Sequence, residues 1–226
     1  MSISSVKTLK SMIVERLNQE SASMVWTPID FIELGKRDAI DKTLQRLVSS
    51  GQLQRIDRGL YTKLRKNTLT QRLAAPDYEK VIEAVRRRDQ VRVLVDGMSA
   101  ANALGLTNAV PGQIIVHTDG RLRPIHIENL IIQFKLTAPS KLYWADHPAM
   151  YIVQALYWLH NSWENFSVIE QKTIELKLIR LLHAPNKNAV ICNDLQAGLH
   201  TVPTWMQDWI RRLITPPIEP TRKVKK

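Results

Sequence analysis

The sequence predicts an α+β fold in three parts. Three patterns in its 226 residues carry that expectation: helical apolar spacing up to Gly51 that then switches to alternation, a middle stretch of short apolar runs, and long helical periods toward the end. The expected units are residues 1–67, a small α/β unit over 77–140, a helical subdomain over 141–215, and a flexible basic tail over 216–226.

From Ser4 to Leu17, the residues Val6, Leu9, Met12, Ile13 and Leu17 recur at helical spacing, while Lys7, Lys10 and Arg16 fall on the other side. Thr27-Pro28 supplies an N-cap and a proline at the first helical position, and the run Ile29 to Leu34 is closed by Gly35, which predicts a second helix of two turns. A third helix is expected over Asp38 to Ser49, with Ile40, Leu44, Leu47 and Val48 on one face and Gly51 as its cap. Beyond Gly51, Leu53, Ile56, Leu60 and Tyr61 flank a polar Asp57-Arg58-Gly59 corner, the pattern of a β-hairpin.

Three helices and a hairpin in this order read as a winged helix-turn-helix, a device that sets a helix into the DNA major groove; winged helices also serve as protein-protein modules. In the DNA reading, Arg55, Arg58, Lys63, Arg65 and Lys66 on and after the hairpin offer cations to backbone phosphates. Base choice would come from the third helix, where Arg37 can donate two hydrogen bonds to guanine and Gln45 can pair with adenine.

The composition agrees with a folded, anion-binding chain. A hydrophobic share of 44% and a charged share of 23% are those of a globular protein, which excludes global disorder. A net charge of +11 calls for an anionic partner, with nucleic acid the first candidate and a membrane surface its rival. The excess is largest in residues 1–75, with 13 Lys and Arg against 7 Asp and Glu. Cys192 stands alone, so an internal disulfide and a cysteine-based zinc site are excluded, and a reducing cytoplasmic setting fits. The start of the chain lacks the apolar core of a secretory signal, and no stretch has the apolar length of a membrane span.

After Ala74-Ala75-Pro76, which closes an expected linker from Asn67, a helix is predicted over Asp77 to Arg88. Its basic end, Arg86-Arg87-Arg88, suits the negative pole of the helix dipole. Strands are expected at Val91 to Val95, and at Gly112 to His117 together with Ile125 to Phe134 around an Asp119-Gly120 turn, with a helix over Met98 to Leu104. Leu142 to Trp144 reads as an edge strand; Pro148 to Leu159, Ile169 to Leu182 and Trp205 to Ile214 read as helices. Trp158, Trp163, Trp205 and Trp209 fall in that helical part, where core packing accounts for an aromatic cluster.

Two blocks stand out. One is Ala39-Ile40-Asp41-Lys42-Thr43-Leu44-Gln45-Arg46-Leu47 through Gly51 to Arg58-Gly59-Leu60-Tyr61. The other is Asp96-Gly97-Met98-Ser99-Ala100-Ala101-Asn102-Ala103-Leu104-Gly105-Leu106-Thr107, with Val110-Pro111 and Thr118-Asp119-Gly120-Arg121 after it. In both the chain resembles the AbiEi-type antitoxins of type IV toxin-antitoxin systems, which are associated with abortive phage infection. The likeness covers residues 1 to about 135 and fades in the helical end. It implies a bacterial antitoxin whose winged helix represses its own operon on double-stranded DNA. It also implies a C-terminal region that counteracts a nucleotidyltransferase-like toxin, with or without direct contact. By the same resemblance Arg37, Lys42, Arg46, Arg55 and Arg58 would contact DNA; together with Gln45 and Lys63 they form the candidate set.

No enzyme chemistry is expected of the chain itself. The paired carboxylates that hold magnesium after a Gly-Ser pair in a nucleotidyltransferase have no counterpart. Gly97-Met98-Ser99 suggests a nucleophile elbow, but Ala101 replaces its second glycine, and Ser99 reads as a helix-capping hydroxyl. His117, His126, His147, His160, His183 and His200 include no pair at metal-site spacing, and Gly105 and Gly112 stand apart, so neither a metal nor a nucleotide cofactor is expected. The competing reading is a non-enzymatic adaptor that holds a protein partner through the winged helix and the Trp-rich end.

Overall fold

Thr8 caps the first helix: its hydroxyl accepts the Ser11 N–H at 3.2 Å, and Leu9–Gln19 (α1) follows. The structure is a computed structural model that describes residues 7–21, 23–65, 73–109, 111–184 and 188–215. The predicted start at Ser4 lies outside the described residues, and Lys7 and Thr8 precede the helix rather than join it. The architecture is mixed α+β, with two small sheets and several helices. The chain divides into two compact units, Met1–Val93 with Gly112–Leu136 and Leu94–Pro111 with Thr137–Lys226. The stretch expected as one unit over 77–140 is shared between them.

In the first unit, α1 leads to the two-residue strand Val25–Trp26 (β1), an element too short for any periodicity to announce. Pro28–Leu34 follows as a tight 3-10 segment rather than two α-helical turns. Its entry is fixed by Asp30, whose Oδ2 accepts the Thr27 backbone N–H at 2.7 Å and the Thr27 hydroxyl at 3.0 Å. Arg37–Ser49 (α2) comes next, and its C-terminus is closed as the sequence predicts. Gly51 takes the left-handed φ of 69°, Gln52 N–H donates to the Leu47 carbonyl and Gly51 N–H to the Val48 carbonyl, a Schellman cap.

Leu53–Asp57 (β2) and Leu60–Lys63 (β3) form the expected antiparallel hairpin around Arg58-Gly59, with Gly59 at φ 70° and a bulge between Arg55 and Asp57. β1 pairs with the far side of β3, giving the order β1-β3-β2. Ile13, Leu17, Trp26, Phe31, Ile40, Leu44, Leu47, Leu53 and Tyr61 fill the core between these pieces. Trp26 stacks on Phe31 at 5.2 Å between ring centroids.

Tyr78–Asp89 (α3), capped by Asp77, packs against β1 and β3. The linker expected from Asn67 lies for the most part outside the described residues, as does Lys66. The basic end of α3 does more than face the helix dipole. Arg87 Nη2 donates to the Val25 carbonyl at 3.0 Å and Nε approaches Asp30 Oδ1 at 3.3 Å; Arg88 Nη1 donates to the Arg58 carbonyl at 2.6 Å. These arginines fasten α3 to β1, the 3-10 segment and the hairpin.

Val93–Val95 (β4) is the strand through which the chain leaves this unit. Gln113–Thr118 (β5), Ile125–Ile127 (β6) and Leu130–Leu136 (β7) complete a four-stranded sheet of order β4-β5-β7-β6. β5 pairs in parallel with β7, Gln113 opposite Ile131, and β6 pairs antiparallel with β7. The run Ile125 to Phe134 is thus two strands, broken where Glu128 turns at φ 51°. The segment between β5 and β6 passes across the end of β7.

The second unit is helical. Gly97–Ala103 (α4) lies against Met150–Ser162 (α5), and Val168–His183 (α6), Asn188–Ala197 (α7) and Thr204–Ile214 (α8) pack among themselves. Leu142–Trp144 is no edge strand: it follows a 3-10 turn over Pro139–Lys141, with Leu142 and Trp144 buried. Of the four tryptophans expected to pack in this part, Trp209 is buried and meets Trp163 edge to face at 5.0 Å, while Trp158, Trp163 and Trp205 are half-buried. α7 has no counterpart among the expected helices, and the basic tail over 216–226 lies outside the described residues.

Two substitutions test these contacts. Arg87→Ala should cost about 1–3 kcal/mol in urea-denaturation stability, because it strips partners from the Asp30 carboxylate and the Val25 carbonyl. At Gly97 an added Cβ would stand 2.5 Å from the Gln154 carbonyl oxygen and 2.7 Å from Trp158 Cβ. Gly97→Ala should therefore cost about 1–3 kcal/mol by forcing α4 away from α5, measured in the same way.

Candidate functional site

Helical spacing puts Asp38, Lys42, Gln45, Arg46 and Ser49 on the face of α2 opposite the core residues Ile40, Thr43, Leu44 and Leu47. All five are exposed. The side chains of Lys42, Gln45 and Arg46 meet no hydrogen-bond or ionic partner among the described residues. Arg37, the first residue of α2, instead donates Nε to Asp41 Oδ2 at 3.0 Å one turn on. To reach a guanine edge it would have to leave Asp41. With Asp38 in the first turn and Arg37 paired to Asp41, the start of the helix is also less cationic than its middle.

The hairpin places its arginines differently from one another. Arg55 is exposed and turns Nε toward the Asp57 carbonyl at 3.3 Å. Arg58 stands at the tip, its backbone held by Arg88 and its guanidinium without a partner among the described residues. Lys63 is half-buried, with Nζ donating to Asn18 of the α1 end at 3.3 Å, which directs it away from the tip.

Tyr61 joins the helix and hairpin electrostatically. Burial pushes its hydroxyl above the usual tyrosine range; Arg55, opposite it in the hairpin register, works against that shift, Asp41 adds to it and Arg37 opposes it. Arg37, Asp41 and Arg55 therefore bear on one atom. Of the candidate set, Arg37, Lys42, Gln45 and Arg46 share α2 and Arg55, Arg58 and Lys63 share the hairpin, with Lys63 at the open end of β3, opposite Leu53 and away from the tip.

The second block of the resemblance is built as scaffold. Asp96 caps α4 by accepting Ser99 N–H at 3.0 Å, and the Ser99 hydroxyl donates to the other oxygen at 2.6 Å. Ser99 is thus the partner of the cap, not the cap, and its buried hydroxyl is held by a carboxylate. The Thr118–Arg121 stretch is also tied down. Asp119 accepts the Arg92 backbone N–H and Nε, both at 2.9 Å, and Gly120 N–H donates to the Thr118 hydroxyl at 3.3 Å. Hydrogen bonds from the Arg92 side chain and backbone hold the Asp119 carboxyl below the usual carboxylate range.

In the second unit, His147 Nδ1 lies 2.7 Å from Asp194 Oδ1, and Asp194 Oδ2 accepts the Ala149 N–H at 2.9 Å. The pair fastens α7 to the start of α5, and its separation in sequence left no signal for it. His160 stacks on Trp205 at 3.8 Å, and burial pushes the Cys192 thiol up, which disfavours the thiolate. Among the described residues no group of three or more His, Cys, Asp or Glu side chains is arranged to hold a metal ion, and no helix is long and apolar enough to cross a membrane.

The model of a family described as "Family of unknown function (DUF6088)" matches residues 12–187, most of the chain, and the protein belongs to that family. No curated protein matches the sequence.

The Asp119 interaction gives a pH-dependent expectation. Because the folded carboxyl is depressed, its stabilising effect is complete above the ordinary carboxylate value and is lost as pH falls through the lowered folded value. Urea midpoints of wild type and Asp119→Asn should therefore differ at neutral pH and converge in acid; a constant gap across that range would exclude the ionic role.

Proposed function

We propose that this DUF6088 member is a DNA-binding antitoxin and autorepressor of the AbiEi type, with α1, the 3-10 segment, α2 and the β2–β3 hairpin acting as a winged helix-turn-helix. In this reading α2 is the recognition helix and Arg58 lies at the tip of the wing. The observation that carries it is the exposed face of α2, where Lys42, Gln45 and Arg46 have no partner among the described residues and stand beside a hairpin tipped by an equally free arginine. Exposed cations without protein partners are ready to replace the counterions of a nucleic-acid backbone. The chain's net charge of +11 supports the same partner.

The charges at the start of α2 sharpen the reading. Asp38 in the first turn repels phosphates and Arg37 is held by Asp41, so backbone contact falls to Arg46, Lys42 and Arg58, and Gln45 is left to read a base edge. The target is the operator of the protein's own operon. The partner it counteracts is a nucleotidyltransferase-like toxin, opposed through the C-terminal region in the bacterial cytoplasm; the chain itself is not an enzyme. One observation favours the adaptor reading: Ile169 and Leu176, seven residues apart and so on one side of α6, are 78% and 53% exposed, as a partner-binding helix would leave them.

Binding to DNA from upstream of the gene, at near-physiological salt and against an unrelated duplex, tests the proposal. Wild type should prefer the upstream duplex, and Arg46→Ala and Arg58→Ala should each weaken binding and lower the salt slope by about one unit. Equal weak binding to both duplexes, unchanged in the variants, would sink it in favour of the adaptor.

A further inference from the structure

Beside the hairpin tip the first unit holds a concavity of about 490 Å³ whose rim carries Arg37, Arg58, Arg88, Arg121 and Arg123. That volume lies in the range of small-ligand sites, about 300–1,000 Å³. The arginines come from four separate places in the chain: the start of α2, the hairpin turn, the end of α3, and the segment between β5 and β6. Two of them are already neutralised, Arg37 by Asp41 and Arg88 by Asp89 at 2.7 Å. The other three are not. Arg58, Arg121 and Arg123 are exposed and have no hydrogen-bond or ionic partner among the described residues, and of the two acids on the rim, Asp89 is spent on Arg88.

Like charges gathered around one hollow repel each other unless an anion joins them, and a concave wall concentrates their field on whatever enters. The segment that brings two of them there is also firmly set. Asp119 grips Arg92 twice, and a Cβ on Gly120 would stand 2.5 Å from Val91 Cγ1, so this stem sits tight against the chain before β4. Arg121 and Arg123 are therefore presented from a fixed base, the pre-organisation an anion site requires.

We infer that this concavity is a phosphate-binding site with Arg58, Arg121 and Arg123 as its donors. Guanidinium groups fork onto phosphate oxygens in pairs, and three of them match a group that offers several oxygens at once. The phosphate belongs either to the backbone of the bound duplex, extending the interface from the hairpin onto the β5–β6 segment, or to a free phosphorylated molecule. The duplex source rests on the proposed function; the free source does not.

The test uses the full chain as wild type, Arg46→Ala, Arg121→Ala/Arg123→Ala and Arg121→Lys/Arg123→Lys, titrated with a labelled upstream duplex and, separately, with tripolyphosphate. Because both arginines are exposed, the variants should keep the wild-type melting midpoint. With a backbone phosphate, the double alanine variant weakens duplex binding on any sequence, lowers the salt slope by about two units, and tripolyphosphate competes with the duplex. With a free ligand, tripolyphosphate binds wild type with one-to-one stoichiometry and at least about tenfold more weakly to the alanine variant, while duplex affinity stays the same. The lysine variant, which keeps charge but loses the fork, should fall between. Wild-type behaviour of the alanine variant toward both probes overturns the inference, as does a wild type that binds neither. Duplex binding lost in Arg46→Ala but untouched in Arg121→Ala/Arg123→Ala, with no tripolyphosphate bound, removes this site and leaves the proposed function standing. Tripolyphosphate binding that depends on Arg121 and Arg123 in a protein that ignores DNA does the reverse.

Discussion

The N-terminal half of the first unit depends on one carboxylate. Asp30 uses one oxygen to hold the Thr27 backbone and hydroxyl, which sets the entry of the 3-10 segment, and turns the other toward Arg87 of α3. Only 14% of its side chain is exposed, so these contacts are made where water competes weakly. Through Arg87 the same junction reaches the Val25 carbonyl, and Val25 pairs with Thr62 where β1 joins β3. Segment, strand and helix are thereby located relative to one another by a single acidic group and its cation.

The helix and hairpin that come after this junction rely on the same frame. α2 can leave its polar face bare because Ile40, Leu44 and Leu47 on the opposite face are completely buried. The hairpin can project an arginine from its turn because Arg88 clasps the turn's backbone from behind and Gly59 accepts the left-handed φ. A cation that holds the fold and one that remains free thus meet at the hairpin turn, where Arg88 grips the backbone of Arg58. Arg87 and Arg88 are spent on structure, while Lys42, Arg46 and Arg58 are not.

That division decides how much could be read in advance. The sequence announces α2, its Schellman cap, the hairpin and α3 because each is a local device in which spacing, a capping side chain and a glycine agree. It is silent on β1, whose two residues exist as a strand only because β3 offers an edge. It misplaces Leu142–Trp144, where apolar residues are buried by a turn rather than a sheet, a distinction that composition does not carry. For the candidate site, exposure of Lys42, Gln45 and Arg46 follows from helical period, but the capture of Arg37 by Asp41 and of Lys63 by Asn18 depends on side-chain reach. The arginine-rich hollow was beyond sequence reading altogether, since its residues lie as far apart as Arg37 and Arg123 and are gathered only by the fold.

The division of the chain has a consequence for synthesis and for recombination. Each unit is written in two pieces, and the polypeptide crosses from one to the other at Val93, Pro111 and Leu136. A nascent chain emerging from the ribosome therefore cannot finish its first unit until β7 has appeared, by which time α4 of the second is already exposed and waiting for α5. Nor does any single cut yield two whole modules: a fragment ending at Val93 keeps the helices and hairpin but loses β5, β6 and β7. The two units are interleaved in the gene and would have to be inherited, exchanged or lost together.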